Sequence, residues 1–209
     1  NSARAMGIEV EVLDFGKSAP PDMARVEAAL RADTGHRIKA VLTTHVDTAS
    51  TIRTDIAALR ATIDAARHPA LLAVDCIASL GCDEFRMDDW GVDVMVAACQ
   101  KGLMTPPGMA FLWFSDTARL RCGASDLATP YWAWGPRAEP EEFWQIWDGT
   151  APTSHLYGLR EALDMIREEG LPNVWKRHHT LASAVWAAFD CWSAGNPAIG
   201  MNVADPTHR

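Results

Sequence analysis

Three short apolar runs, Leu71–Val74, Val92–Ala98 and Met109–Phe114, limit what this chain can fold into more than any other feature. Each has the length of a buried strand and falls short of a helix that would need ten or more residues. The first ends in Asp75, the second in Cys99-Gln100-Lys101-Gly102, and the third follows a Pro106-Pro107-Gly108 turn. Upstream, Ile38–Thr43 is another short apolar run, ending in Thr44-His45. Between these runs the period changes. Ile52, Ile56, Leu59 and Ile63 lie four, three and four apart, which predicts one face of an amphipathic helix stopped by His68-Pro69. Pro20-Pro21-Asp22 predicts a helix start, with Met23, Val26 and Leu30 at helical spacing. Ile8–Leu13 alternates apolar and acidic residues and predicts a half-buried strand. Strands alternating with helices imply an α/β fold with a mostly parallel sheet and helices on both faces.

The last third reads differently. Residues 130–150, rich in Pro, Gly and Trp, predict an irregular excursion. From Ser154, the positions Leu156, Leu159, Leu163 and Ile166 predict a helix ended by Glu168-Glu169-Gly170. A second helix is predicted from about Pro172 to Trp192, with Val174, Leu181, Val185 and Trp192 on one face, broken at Gly195-Asn196-Pro197. Ile199–Val203 predicts a further strand. Trp113, Trp132, Trp134, Trp144 and Trp147 are expected to fill core and interfaces.

Composition narrows the partners. With 27 Asp plus Glu against 19 Lys plus Arg, the net charge of −8 argues against nucleic acid or an anionic membrane as the main partner. No run approaches the roughly 18 apolar residues of a membrane span, and no secretory signal opens the chain. The five cysteines are odd in number and form no CxxC pair, which disfavours a disulfide framework and a zinc site and suggests a reducing, cytoplasmic setting. The first residue is Asn1, and 209 residues suit one large domain or one and a fraction, so a piece of a longer protein is expected.

An acid and a lysine thus stand just past the ends of two predicted strands, where open α/β sheets build their sites. Such a pair suits a pyridoxal phosphate enzyme, in which a lysine carries the cofactor and an acid holds its pyridinium nitrogen. The order HVDT (45–48), VDCIASLG (74–81), DEFRMDDWGVDV (83–94), CQKGLMTPPG (99–108) and GTAPTSHLYGLREAL (149–163) resembles class V aminotransferases of pyridoxal phosphate fold type I, nearest the serine–glyoxylate and alanine–glyoxylate group. The resemblance implies a three-layer α/β/α large domain, incomplete at both ends, over residues 1–170, with 171–209 as connecting helix and start of a C-terminal small domain. It also implies a homodimer sharing its sites across the interface. The family's N-terminal phosphate-holding loop and its substrate-carboxylate arginine have no match here.

By that resemblance Lys101 forms the internal aldimine. The amine must lose its proton to attack a carbonyl, and once released it can shuttle the proton between the substrate Cα and the cofactor. A solvated surface lysine is the plain reading of the same residue. Asp75 would keep the pyridine nitrogen protonated, so the ring acts as an electron sink; otherwise it is an Asp capping a turn. Gln100 matches a ligand of the cofactor phosphate, Thr48 a hydroxyl near the ring oxygen, and Ile77 the side chain packed on one ring face. Thr150 matches a residue that reaches the phosphate of the neighbouring subunit's cofactor. Trp147 stands where relatives carry Tyr; its indole N–H can donate a hydrogen bond but not accept one. His45 either lines the site or satisfies local backbone groups. Glu84, Arg86, Asp88, Asp89 and Trp90 are expected to form a solvated connection without chemistry.

The implied reaction is transfer of an amino group from serine or alanine to glyoxylate. Cysteine desulfurases typically place His before the lysine and aminoethylphosphonate transaminases Asn, so Gln100 disfavours both. An inactive truncated piece is another reading, and an α/β binding protein the plainest, but the latter leaves the common register of Asp75, Gln100 and Lys101 unexplained.

Overall fold

The structure, a computed structural model, describes residues 2–127, 131–196 and 198–209. Pro130 of the expected excursion and Pro197 of the expected helix break lie outside the described residues. After a short N-terminal helix α1 (Ser2–Ala5), the order is α2 (Met23–Ala32), β1 (Ala40–Thr44), α3 (Ile56–Ala65), β2 (Leu71–Asp75), β3 (Val94–Ala98) and β4 (Ala110–Phe114). Then come α4 (Asp116–Gly123), α5 (Gly135–Ala138), α6 (Thr153–Glu169) and α7 (Leu171–Ser193). The four strands form one sheet in the order β1-β2-β3-β4. β1, β2 and β3 are parallel, with Thr44 beside Asp75 and Asp75 beside Val96, whereas β4 runs antiparallel to β3. The α/β class and mostly parallel sheet are therefore as the apolar runs predict.

Both helices that precede a parallel strand are capped by an aspartate, the first at the start that Pro20-Pro21-Asp22 predicts. Asp22 accepts from the Ala24 N–H at 2.9 Å, and Asp55 from the Ala58 N–H at 2.8 Å, each cap being worth about 1 kcal/mol. Val26 and Leu30 of α2, with Ile56, Leu59 and Ile63 of α3, pack on Leu72, Val74 and Met95 of the sheet. Full burial of each such side chain contributes about 1.5–3 kcal/mol. The strand register puts Leu72, Val74, Met95, Ala97 and Phe111 on one sheet face. Phe111 also packs on a second cluster with Leu103, Ile166 and Val174, so α6 and α7 are tied to that same side. The other face carries Leu42, Ala73, Val96, Leu112 and Phe114. Leu42 there is 77% exposed, while Trp134 stacks on Phe114 at 5.1 Å between centroids.

Two predicted strands do not form. Ile8–Leu13 is irregular and pairs with no strand among the described residues, and Ile8, Val10 and Val12 are exposed while Leu13 and Phe15 rest on the core. Ile199–Val203 also joins no ladder; Val203 is buried, and Asn202 donates to the Lys17 and Ser50 carbonyls. Alternation alone makes a ribbon, and a strand also needs a neighbour to exchange hydrogen bonds. The expected tryptophan burial is only partial: Trp113, Trp132 and Trp144 are exposed. No helix among the described residues is long and apolar enough to cross a membrane.

Candidate active site

The C-terminal ends of β1, β2 and β3 lie side by side, and each opens into a loop carrying a predicted site residue. Asp75 closes β2 on the more open sheet face, in line with Ala73 and beside Val96. One carboxylate oxygen, Oδ1, accepts from the Ile77 N–H at 2.8 Å. The other, Oδ2, has no hydrogen bond among the described residues. The following turn is tight: the Cys76 N–H donates to the Val96 carbonyl at 2.7 Å, and the Leu80 N–H returns to the Cys76 carbonyl at 2.9 Å. Half-buried Ile77 sits in this turn. Cys76 is fully buried, and burial pushes its thiol up to about 12, so it stays an unreactive thiol.

The loop after β3 is braced at its ends. The Thr105 N–H and Oγ1 both donate to the Cys99 carbonyl, at 3.1 and 2.9 Å. Cys99 Sγ donates to the Pro106 carbonyl at 3.0 Å and accepts from the Met109 N–H at 3.3 Å. Buried Leu103 anchors the loop against α6 and α7. Within this frame Gln100 and Lys101 are exposed. Lys101 makes no ion pair among the described residues, although 27 acidic residues are present in the chain.

The two loops touch backbone to backbone. A Cβ on Gly102 would collide with the Leu80 carbonyl oxygen and lie 2.8 Å from Cys82 Sγ. A Cβ on Gly81, at φ +83°, would lie 3.1 Å from the Gly102 oxygen. Glycine at both positions lets the Asp75 loop and the Lys101 loop approach this closely. Asp75, Ile77, Gln100 and Lys101 are thus gathered on two abutting loops at the C-terminal end of the parallel strands.

Thr48 lies at the same end, exposed in the turn after β1. That turn is set by Asp47, which accepts from the Ser50 N–H at 2.8 Å and from its hydroxyl at 2.5 Å. These bonds hold the Asp47 carboxyl below its ordinary value, the hydroxyl contributing most. Thr150 is exposed on the segment before α6, and no hydrogen bond joins it to either site loop among the described residues. Its helix is nonetheless docked there, because His155 Nε2 lies 3.1 Å from the Pro107 carbonyl. Trp147 buries its indole N–H with no partner among the described residues.

The structure decides between the two readings of His45. It is 2% exposed, its Nδ1 lies 2.9 Å from Ser79 Oγ, and the edges of Phe85 and Trp90 surround it. Burial keeps its pKa below the ordinary histidine value, which favours the neutral ring. His45 is a buried bracing residue and faces no solvent-filled site. Trp90 is likewise no part of a solvated connection, since it packs on the sheet core. Ser79 is the residue sequence reasoning passed over; a serine inside an apolar turn next to Asp75 was the available signal.

Comparison with known proteins identifies the arrangement. The aminotransferase class-V family model matches residues 1–193. The chain is 42% identical over 198 residues to an L-aspartate–glyoxylate aminotransferase of Paracoccus denitrificans, covering 89% of this chain and 47% of that protein. It is 41% identical over 199 residues to a serine–glyoxylate aminotransferase of Methylorubrum extorquens, covering 91% and 48%. The crystal structure of an alanine–glyoxylate aminotransferase from Nostoc sp. superposes with a TM-score of 0.80 at 26% identity, over 90% of this chain and 49% of that one. The chain spans about half the length of the curated relatives it matches. With the family match running through nearly all the strands and helices described above, the chain belongs to the class-V aminotransferases, whose cofactor is pyridoxal phosphate.

Proposed function

We propose that this chain forms the floor and covalent anchor of a pyridoxal phosphate site that transfers an amino group from a small amino acid, serine or alanine, to glyoxylate. The observation that carries the proposal is the juxtaposition, on two loops in backbone contact, of a carboxylate and a lysine that have, among the described residues, one unbonded oxygen and no ion-pair partner respectively. These are the two groups such a cofactor requires: an amine for its aldehyde carbon and an anion for its ring nitrogen. When bound, the cofactor supplies an electron sink for the carbanion left at the substrate Cα.

Each residue then has a bounded task. Lys101 Nζ holds the cofactor and, once freed, carries the proton at the substrate Cα. Asp75 keeps the ring nitrogen protonated through its free oxygen. Ile77 covers one ring face and excludes water there. Gln100 donates to the phosphate, Thr48 bonds near the ring oxygen, and Thr150 reaches the phosphate held by a second copy of the chain in a homodimer. Trp147 can add only a donor at that phosphate. Residues 1–170 belong to the cofactor-binding domain, with 171–209 leading into a second one, and the protein acts in the cytoplasm on small soluble substrates.

Relatives named for aspartate, serine and alanine as donors share glyoxylate as acceptor, which supports the acceptor more firmly than the donor. A donor screen on the full-length protein, with glyoxylate as acceptor, tests the reading. Conversion of glyoxylate to glycine is expected, with serine or alanine giving up its amino group and leaving as the 2-oxo acid, together with loss of the bound-cofactor absorbance in Lys101→Ala. Turnover with aspartate alone would replace the donor. Sulfide release from cysteine, or an unchanged absorbance in Lys101→Ala, would overturn the assignment.

A further inference from the structure

We infer that His45, acting through Ser79, is the positioning residue that aims the Asp75 carboxylate. The inference rests on the cofactor role proposed for Asp75 and adds how its orientation is kept. Asp75 Oδ1 is held by the Ile77 N–H, so the carboxylate points wherever the turn after β2 sends that N–H. The turn closes on itself through Ser79 and Leu80, whose N–H groups both donate to the Cys76 carbonyl. Its side-chain brace is the bond between Ser79 Oγ and His45 Nδ1 at 2.9 Å. Ser79 Oγ also lies 3.4 Å from the Cys76 carbonyl, so the hydroxyl can accept from Nδ1–H and pass its own hydrogen to the turn's backbone.

His45 is itself fixed. Its N–H donates to the Asp75 carbonyl at 2.9 Å, and its carbonyl accepts from the Thr54 N–H at 2.8 Å. Phe85 and Trp90 bracket the ring edge-on at 5.3 and 5.9 Å between centroids. His45 and Ser79 are 2% and 1% exposed, so water cannot substitute for either partner. One residue therefore braces both sides of this corner, bonding the Asp75 carbonyl by its backbone and the turn's Ser79 by its ring. A Leu and an Ala would fill the same space without supplying direction; a buried polar pair specifies a unique geometry.

The experiment uses the full-length protein reconstituted with pyridoxal phosphate. Cofactor dissociation constants and bound-cofactor spectra are measured for Ser79→Ala, His45→Leu, His45→Asn, Asp75→Asn and the Ser79→Ala/Asp75→Asn double variant. Thermal midpoints of the cofactor-free forms are recorded alongside. Ser79→Ala and His45→Leu are expected to weaken cofactor binding about five- to tenfold, the worth of one buried hydrogen bond. Asparagine carries its amide group on Cγ as histidine carries Nδ1, so His45→Asn is expected to return affinity to within about twofold. In the Asp75→Asn background Ser79→Ala should add no further loss, because the group it aims is no longer an anion.

An equal loss in both backgrounds would show a general packing role and overturn the inference, as would His45→Asn binding as weakly as His45→Leu. If Asp75→Asn weakens binding while Ser79→Ala does not, the positioning role alone fails. If Asp75→Asn leaves affinity unchanged, the reading of Asp75 fails and the inference falls with it.

Discussion

Two aspartates mark the two ends of the sheet, and they are used in opposite ways. Asp93 sits just before β3, at the end where the parallel strands start. Its Oδ2 accepts from the Leu72 N–H and its Oδ1 from the Ser115 hydroxyl, both at 2.9 Å, and Arg60 lies 3.6 Å away. Its own carbonyl takes the Ser115 N–H. Asp75 sits at the end where the strands finish, with one oxygen on the Ile77 N–H and the other without a hydrogen bond among the described residues. Both acids adjoin strands of the same sheet, yet the fold engages both carboxylate oxygens of Asp93 and, among the described residues, only one of Asp75. A carboxylate with both oxygens engaged contributes to stability, whereas one with an oxygen to spare can take a ligand. The same contrast applies to the cations: Arg60 is paired with Asp64 and Asp93, while Lys101 has no ionic partner among the described residues.

Substitutions at the two ends should separate stability from cofactor binding. The largest effect is expected for Asp93→Ala. It would strand the Leu72 N–H and the Ser115 hydroxyl and leave Arg60 with Asp64 alone, costing about 3 kcal/mol in chemical denaturation. Asp75→Ala should cost less than about 1 kcal/mol on the same measure and should instead weaken cofactor binding. If the two variants lost equal stability, the division between a structural and a ligand-holding end would not hold.

Gly102→Ala comes next. Its methyl would strike the Leu80 carbonyl and press on Cys82 Sγ, both in a backbone-rich contact with little room to yield. The expected cost is about 2 kcal/mol, with weakened cofactor retention, because the contact joins the two site loops. Ser115→Ala removes a helix cap and the Asp93 bond at the opposite end. It should cost about 1 kcal/mol and leave cofactor affinity unaltered, which urea denaturation and a cofactor titration would check together.

The smallest effect is in acid. Asp33 is held below the ordinary carboxylate value chiefly by the Ile38 N–H, near where the strands start, and Asp47 by Ser50, near where they finish. A depressed folded-state pKa adds stability above the unfolded value of about 4, and that stability is lost as pH falls through the folded value. Asp33→Asn and Asp47→Asn should therefore each flatten the acid limb of the stability curve, measured by thermal midpoint below about pH 4. An effect at only one end would sharpen the contrast into a difference of local stability as well as ligand availability.

Much of this arrangement is legible in the residues themselves. The runs closing on Asp75 and on Cys99-Gln100 are strands β2 and β3, and the four-three-four spacing of Ile52, Ile56, Leu59 and Ile63 marks a buried face, although the helix begins only at Ile56. Local periodicity carries those elements because their apolar positions face a core built by near neighbours. What the residues do not show depends on distant partners. Ile8–Leu13 alternates like a strand but has no strand to pair with. The antiparallel direction of β4 follows from the short Cys99–Met109 loop doubling back on itself. The side on which His45 points, and so its bond to Ser79, is set by the Phe85 and Trp90 rings from beyond the next strand. For the site, Asp75 and Lys101 could be placed at strand ends from sequence; that one has an unbonded oxygen and the other no ion pair among the described residues required the fold.

Borohydride trapping shows which lysine is the covalent anchor. The full-length protein, loaded with pyridoxal phosphate, is reduced, digested and mapped by mass spectrometry. A reduced cofactor adduct is expected on the peptide containing Lys101, and its loss in Lys101→Ala. An adduct on Lys17, Lys39 or Lys176 in place of Lys101 would contradict this assignment.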